Sequence, residues 1–82
     1  MPYIRKEDRS RFDKLLEFDG VNVGELNFLI TSLCKKYLQY AGENYKVYNS
    51  IIGVLECAKL EMYRRKVATY EDLKIEENGD VY

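Results

Sequence analysis

The chain has 82 residues, 46% of them hydrophobic and 33% charged, with thirteen Lys and Arg against fourteen Asp and Glu, eight Tyr, and neither Trp nor His. That length holds one domain, residues 1–82, and the apolar fraction is that of a folded chain rather than a disordered one. Without His the commonest general base near neutral pH and the commonest metal ligand are both missing, and a net charge of −1 argues against a chain held everywhere on nucleic acid by overall charge.

Pro2-Tyr3-Ile4 reads as an extended N-terminal arm. From Asp8 to Phe18 the apolar residues Phe12, Leu15, Leu16 and Phe18 recur at helical spacing, which predicts a short amphipathic helix stopping near Asp19-Gly20. Asn22-Val23-Gly24-Glu25 has the spacing of a capping box, with Asn in place of the usual Ser or Thr. Behind it Leu26, Leu29, Ile30, Leu33, Tyr37 and Leu38 form one stripe, so a second helix is expected to run to Ala41-Gly42. A third and longest helix is predicted from Glu43-Asn44 to about Ala68, with Tyr48, Ile51, Ile52, Leu55, Ala58, Met62 and Val67 on its apolar face. Gly53 inside it costs about 1 kcal/mol relative to Ala and suggests close approach by another helix, one candidate being that of a second subunit.

After Thr69 the pattern changes. Leu73, Ile75 and Glu77 alternate with charged neighbours, and Asn78-Gly79 is the preferred pair for a tight hairpin turn. A hairpin that short is marginal alone, so the expected fold is mainly α: a three-helix domain with a long third helix and a small C-terminal β-hairpin pairing with the N-terminal Tyr3-Ile4 arm.

A core of this size rarely supplies more than about 3–5 kcal/mol, so a homo-oligomer is expected. Cys34 and Cys57 read as small buried apolar side chains; a bridge between them is geometrically allowed but nothing demands it. They form no C-x-x-C pair, and no metal site or cofactor is expected. The charged N-terminus lacks the apolar stretch of a signal peptide, and no run approaches the roughly 20 apolar residues of a membrane helix. The expected setting is therefore cytoplasmic, with no membrane partner.

The charge is unevenly spread. Residues 71–82 carry five acids and one base, a net −4, while residues 1–70 carry twelve bases and nine acids, a net +3. Arg64-Arg65-Lys66 are the densest positive group. One reading is structural: cations complement the negative end of a helix dipole and pair with the acidic tail. The other is an anion site, in which Arg forks hold phosphates or carboxylates. Tyrosine is the second bias, offering a flat ring and a hydroxyl; it either finishes the edges of a small core or builds a binding surface. The candidate ligand-binding residues are accordingly Arg64, Arg65, Lys66, Tyr63, Tyr70 and Tyr82.

Catalysis has little support. No Ser-His or Cys-His constellation and no glycine-rich phosphate loop is present, and Glu56 and Glu61 would point about 140° apart on a helix. Val23-Gly24-Glu25-Leu26 is similar to part of the all-helical nucleotide pyrophosphohydrolases, but their second acidic helix motif is missing. No catalytic residue is assigned.

The start Met1-Pro2-Tyr3-Ile4, the string Gly24-Glu25-Leu26-Asn27, the run Glu56-Cys57-Ala58-Lys59-Leu60-Glu61 with Tyr63-Arg64-Arg65, and the end Glu77-Asn78-Gly79-Asp80-Val81-Tyr82 resemble a family of small phage and bacterial proteins without assigned function. The resemblance spans nearly the whole chain. It departs at Ala68-Thr69, where a Pro is expected before Tyr70-Glu71-Asp72, which would let the helix run slightly further. It implies a phage-like context but no activity.

The leading functional expectation is a non-enzymatic accessory protein that self-assembles and sequesters a nucleotide-like anion, such as a host signalling nucleotide, at Arg- and Tyr-lined subunit interfaces. The alternative is a protein-interaction module or inhibitor of a host or phage protein. A DNA-associated accessory protein comes third, with nucleic acid disfavoured as a partner by the net charge.

Overall fold

Both helix starts expected from Asn residues are present in a computed structural model of the chain, which describes residues 4–82. The chain divides into two units, Met1–Gly42 and Glu43–Tyr82.

In the first unit α1 spans Val23–Ala41. Its capping box is complete: Asn22 Oδ1 accepts the Glu25 N–H at 2.8 Å, and Glu25 Oε1 accepts the Asn22 N–H at 2.9 Å. Two of the first-turn donors that a helix leaves unpaired are thus satisfied reciprocally. At the other end Gly42, at φ +89°, donates its N–H to Leu38 O at 2.8 Å and stops the helix.

The helix expected over Asp8–Phe18 is not an α-helix. Residues Lys6–Phe12 and Lys14–Leu16 form two short 3-10 helices instead. Their bonds span three residues, as in Asp13 N–H to Ser10 O and Leu16 N–H to Asp13 O, both 3.1 Å. A segment this short is marginal as an isolated α-helix unless its apolar side is covered, and Leu15 and Leu16 remain exposed. Gly20 does adopt the left-handed conformation expected of it, at φ +67°, but after irregular backbone rather than a helix.

The second unit is one uninterrupted helical rod. α2 runs Tyr45–Met62, started by Asn44, whose Oδ1 accepts the Val47 N–H at 3.0 Å. A π-helical turn, Tyr63–Val67, follows, with the Ala68 N–H bonded to Tyr63 O five residues back. α3, Ala68–Asn78, continues directly from it.

The C-terminal β-hairpin is therefore absent. No strand occurs among the described residues, and the sequence that was expected to alternate across a sheet is helical to Asn78. Tyr3, half of the expected N-terminal strand, lies outside the described residues; Ile4 sits in a bend. The physical reason is legible in α3. Ala68, Glu71, Leu73, Lys74, Glu76 and Glu77 are strong helix formers, no Pro interrupts Ala68-Thr69, and Lys74 pairs with Glu77 at 3.0 Å one turn on. Asn78-Gly79 works as a helix stop: Gly79, at φ +86°, donates to Ile75 O at 2.8 Å. A left-handed glycine closes a helix as readily as it turns a hairpin.

No described residue is buried. Cys34 is half-buried and Cys57 exposed, and both are free thiols, so the expected burial of Cys57 is not met. Within its own unit a Cβ at Gly53 would meet nothing within 4 Å, so no helix of that unit closes against it. No described helix is long and apolar enough to cross a membrane.

Candidate functional site

The basic cluster predicted from sequence falls on the π turn. Tyr63, Arg64, Arg65 and Lys66 are four of its five residues. A π turn spends one more residue per turn than an α-helix and leaves its backbone less regularly bonded, and such turns recur at functional sites.

The two structural roles open to these cations are not filled. The rod continues through the turn into α3, so no helix C-terminus lies at Arg64-Arg65-Lys66 for them to complement. Nor does the acidic tail neutralise them. Among the described residues the salt bridges within 4.0 Å join Arg5 to Glu7 and Asp8, Lys59 to Glu56, and Lys74 to Glu77. Arg64, Arg65 and Lys66 have none of these partners.

Arg65 and Lys66 line a shallow open groove together with Ala58, Glu61 and Met62. Its floor is thus apolar on one side and cationic on the other, with one carboxylate in the same wall. An Arg fork beside a Lys ammonium suits an anion of phosphate or carboxylate type. Arg64 does not line the groove.

The three predicted tyrosines are not gathered around it. The Tyr63 hydroxyl donates to both Glu71 carboxylate oxygens, at 3.0 and 3.1 Å. That bond, followed by the Glu71 charge and partial desolvation, raises the Tyr63 phenol above its ordinary value. Tyr70 lies one turn beyond Lys66, with the Lys74 ammonium 5.5 Å from its ring centroid. Tyr82 is fully exposed beyond the helix stop. One chain therefore brings together Arg65 and Lys66, places Tyr70 one turn further along the rod, and leaves Tyr82 outside the groove.

Residues that sequence reasoning missed at this site are Glu61 and Met62 as groove walls and Glu71 as the partner of Tyr63. The first two could be read from helical spacing around Arg65. The third could not, because an eight-residue separation does not share a face on a regular α-helix.

Elsewhere, Tyr48 donates to Glu43 at 3.0 Å, and that bond, then burial and the Glu43 charge, raises its phenol too. Tyr37 and Tyr40 form a tilted ring pair on α1, with centroids 6.3 Å apart. Among the described residues no three or more Cys, Asp or Glu are placed to hold a metal ion.

A protein-family model, Domain of unknown function (DUF6899), matches residues 1–81. Neither a curated protein nor a solved structure matches the chain.

Proposed function

Because the chain belongs to the DUF6899 family over residues 1–81, a domain of unknown function, we propose a role from its own site: a non-enzymatic protein that assembles from copies and binds a nucleotide-like anion at the π turn. The observation that carries this reading is the cationic cluster on Tyr63–Val67, which has no helix terminus to complement and no carboxylate within salt-bridge distance among the described residues, although the Arg64 and Arg65 charges act on Glu61. Arg65 and Lys66 hold the phosphate in the groove. Tyr70, on the next turn, offers a ring to a base, and a subunit seam at this place would supply the rest of the wall.

Self-assembly is supported by the absence of any buried side chain among the described residues of a chain that is 46% hydrophobic. A stripe left in water contributes no hydrophobic stabilisation until something covers it. In the phage-like context that the sequence resemblance implies, the role that suits such a site is sequestration of a host signalling nucleotide.

Titration calorimetry against cyclic and linear nucleotides, with inorganic phosphate as control, tests the ligand. The expected result is saturable binding to at least one nucleotide, weakened tenfold or more by Arg65→Ala or Lys66→Ala. Silence across that panel from a folded helical protein sinks the reading. The exposed stripe of α2 also suits a host or phage protein; a stoichiometric protein co-purifying in place of a small molecule would favour that module. A gel shift at low salt through Arg64, Arg65 and Lys66 would favour DNA.

A further inference from the structure

We propose that Tyr63 and Glu71 are positioning residues of the anion groove. Their hydrogen bond holds the π turn, which sets the Tyr70 ring in line with the groove floor and gives the site a preference for an anion that carries a flat ring. The inference rests on the anion reading of Arg65 and Lys66 and names what selects their ligand.

Nothing in the composition of Tyr63–Val67 requires an extra residue in the turn. The segment holds neither Pro nor Gly, and all five residues are accepted in a regular α-helix. The Tyr63–Glu71 bond, by contrast, needs that residue. On an unbroken helix the two would lie about 80° apart around the axis, and one inserted residue closes this to about 20°. The hydroxyl then reaches both Glu71 oxygens, at 3.0 and 3.1 Å. A second side-chain bond crosses the same stretch without discriminating. Thr69 donates to Arg65 O at 3.5 Å, a four-residue step that a regular helix allows equally. Of these two bonds, only Tyr63–Glu71 selects the π turn over the α turn.

The same inserted residue realigns α3 with the groove. Ala58 and Met62 supply the apolar part of the groove floor. With the extra residue Tyr70 stands about 20° from each of them around the axis; without it, Tyr70 would stand about 120° from Ala58 and about 80° from Met62. The ring thus lies on the line of the groove, one turn beyond Lys66, and is 59% exposed. The Lys74 ammonium, 5.5 Å from the ring centroid, adds a further cation past it. Along the rod the order is apolar floor, Arg65 and Lys66, aromatic ring, and then Lys74. An anion bearing a planar ring can set its charge on the cations and its ring on Tyr70, whereas a bare anion gains nothing from the ring.

Calorimetry of the intact chain with linear and cyclic adenine and guanine nucleotides and with inorganic pyrophosphate reads the preference. Nuclear magnetic resonance of the Ala68 amide, through its hydrogen-bond coupling, reads the turn. In the wild type the Ala68 N–H is bonded to Tyr63 O. At least one nucleotide should bind about tenfold more tightly than pyrophosphate, the size of one base–aromatic stack. Tyr63→Phe removes the donor, so the Ala68 N–H should move to Arg64 O, its regular α-helical partner, and the nucleotide's advantage should be lost at unchanged pyrophosphate affinity. Tyr70→Leu should lose the same advantage with the turn intact. If Tyr63→Phe also loses helical circular dichroism, Glu71→Ala serves in its place, removing the acceptor in favour of the strongest helix former.

An Ala68 amide still bonded to Tyr63 O in the variant overturns the proposal and leaves the anion site standing. So does a nucleotide preference that survives the shifted bond, and so does a wild type that holds pyrophosphate as tightly as every nucleotide. Silence of the wild type toward pyrophosphate and all of these nucleotides overturns the anion site itself, and the preference with it.

Discussion

The Tyr63 hydroxyl is bonded to the Glu71 carboxylate across the π turn, 3.0 and 3.1 Å from its two oxygens. These residues are eight apart, and on an unbroken α-helix they would lie about 80° apart around the axis and about 12 Å apart along it. Their meeting reports the extra residue that the π turn inserts. The bond also ties the cationic segment to the acidic one, since Arg64, Arg65 and Lys66 lie within the loop it closes.

The first expectation concerns titration. Tyr63 and Tyr48 each donate to a carboxylate, Glu71 and Glu43, and both phenols are raised. In a spectroscopic titration, Tyr63 and Tyr48 should each ionise above the ordinary phenol value near 10.0. Glu71→Gln should return Tyr63 towards the ordinary value near 10.0 and leave Tyr48 late; Glu43→Gln should do the reverse. Titration curves unchanged from wild type in both variants would contradict it.

The same shifts set a pH dependence. In the folded chain these phenols hold their protons above the pH at which they lose them unfolded, so the folded state binds more protons there and stability falls as pH rises. The contribution is present below about pH 10 and is lost as pH climbs through the raised values. Helicity followed from pH 8 to pH 12 should fall less steeply in the Tyr48→Phe, Tyr63→Phe double variant than in the wild type.

Two glycines in the rod should respond oppositely to the same substitution. Gly53 sits inside α2 with open space around it in its own unit, so Gly53→Ala should stabilise the helix by about 1 kcal/mol. Gly79 stops α3 at φ +86°, a conformation that a Cβ opposes, so Gly79→Ala should destabilise by about 1 kcal/mol and fray the last turn. Denaturant midpoints and Cα chemical shifts over residues 68–78 would show both effects.

At the start of α1, Asn22→Ala removes the acceptor for the Glu25 N–H and releases the reciprocal bond. A loss of about 1 kcal/mol is expected, with faster amide exchange at Glu25. An unchanged melting temperature and unchanged exchange would show that the cap contributes nothing.

The parts of this fold that could be read from residues alone are those settled within one turn of chain. Asn22 with Glu25, Gly42 and Asn44 each satisfy or stop a helix end through neighbours no more than four residues away. The spacing of Tyr48, Ile51, Leu55 and Met62 likewise belongs to the sequence and survives in α2. So does the cluster Arg64-Arg65-Lys66, which needs only adjacency to be recognised.

Other features depended on where backbone groups found their partners. Asn78-Gly79 suits a hairpin or a helix end equally, and the choice fell to the helix because the Gly79 N–H meets Ile75 O. Phe12, Leu15 and Leu16 have helical spacing, yet their segment settled into three-residue bonds because it is short and its apolar side is uncovered. The inserted residue of the π turn changes the period locally, so the faces of Glu71, Tyr70 and Leu73 cannot be extrapolated from α2 at 3.6 residues per turn. By itself the sequence determined the helix starts, the stripe and the charges. Only the folded backbone decided that one rod would carry all three past the point where a sheet was expected, because its carbonyls accepted bonds from the residues that would otherwise have formed strands.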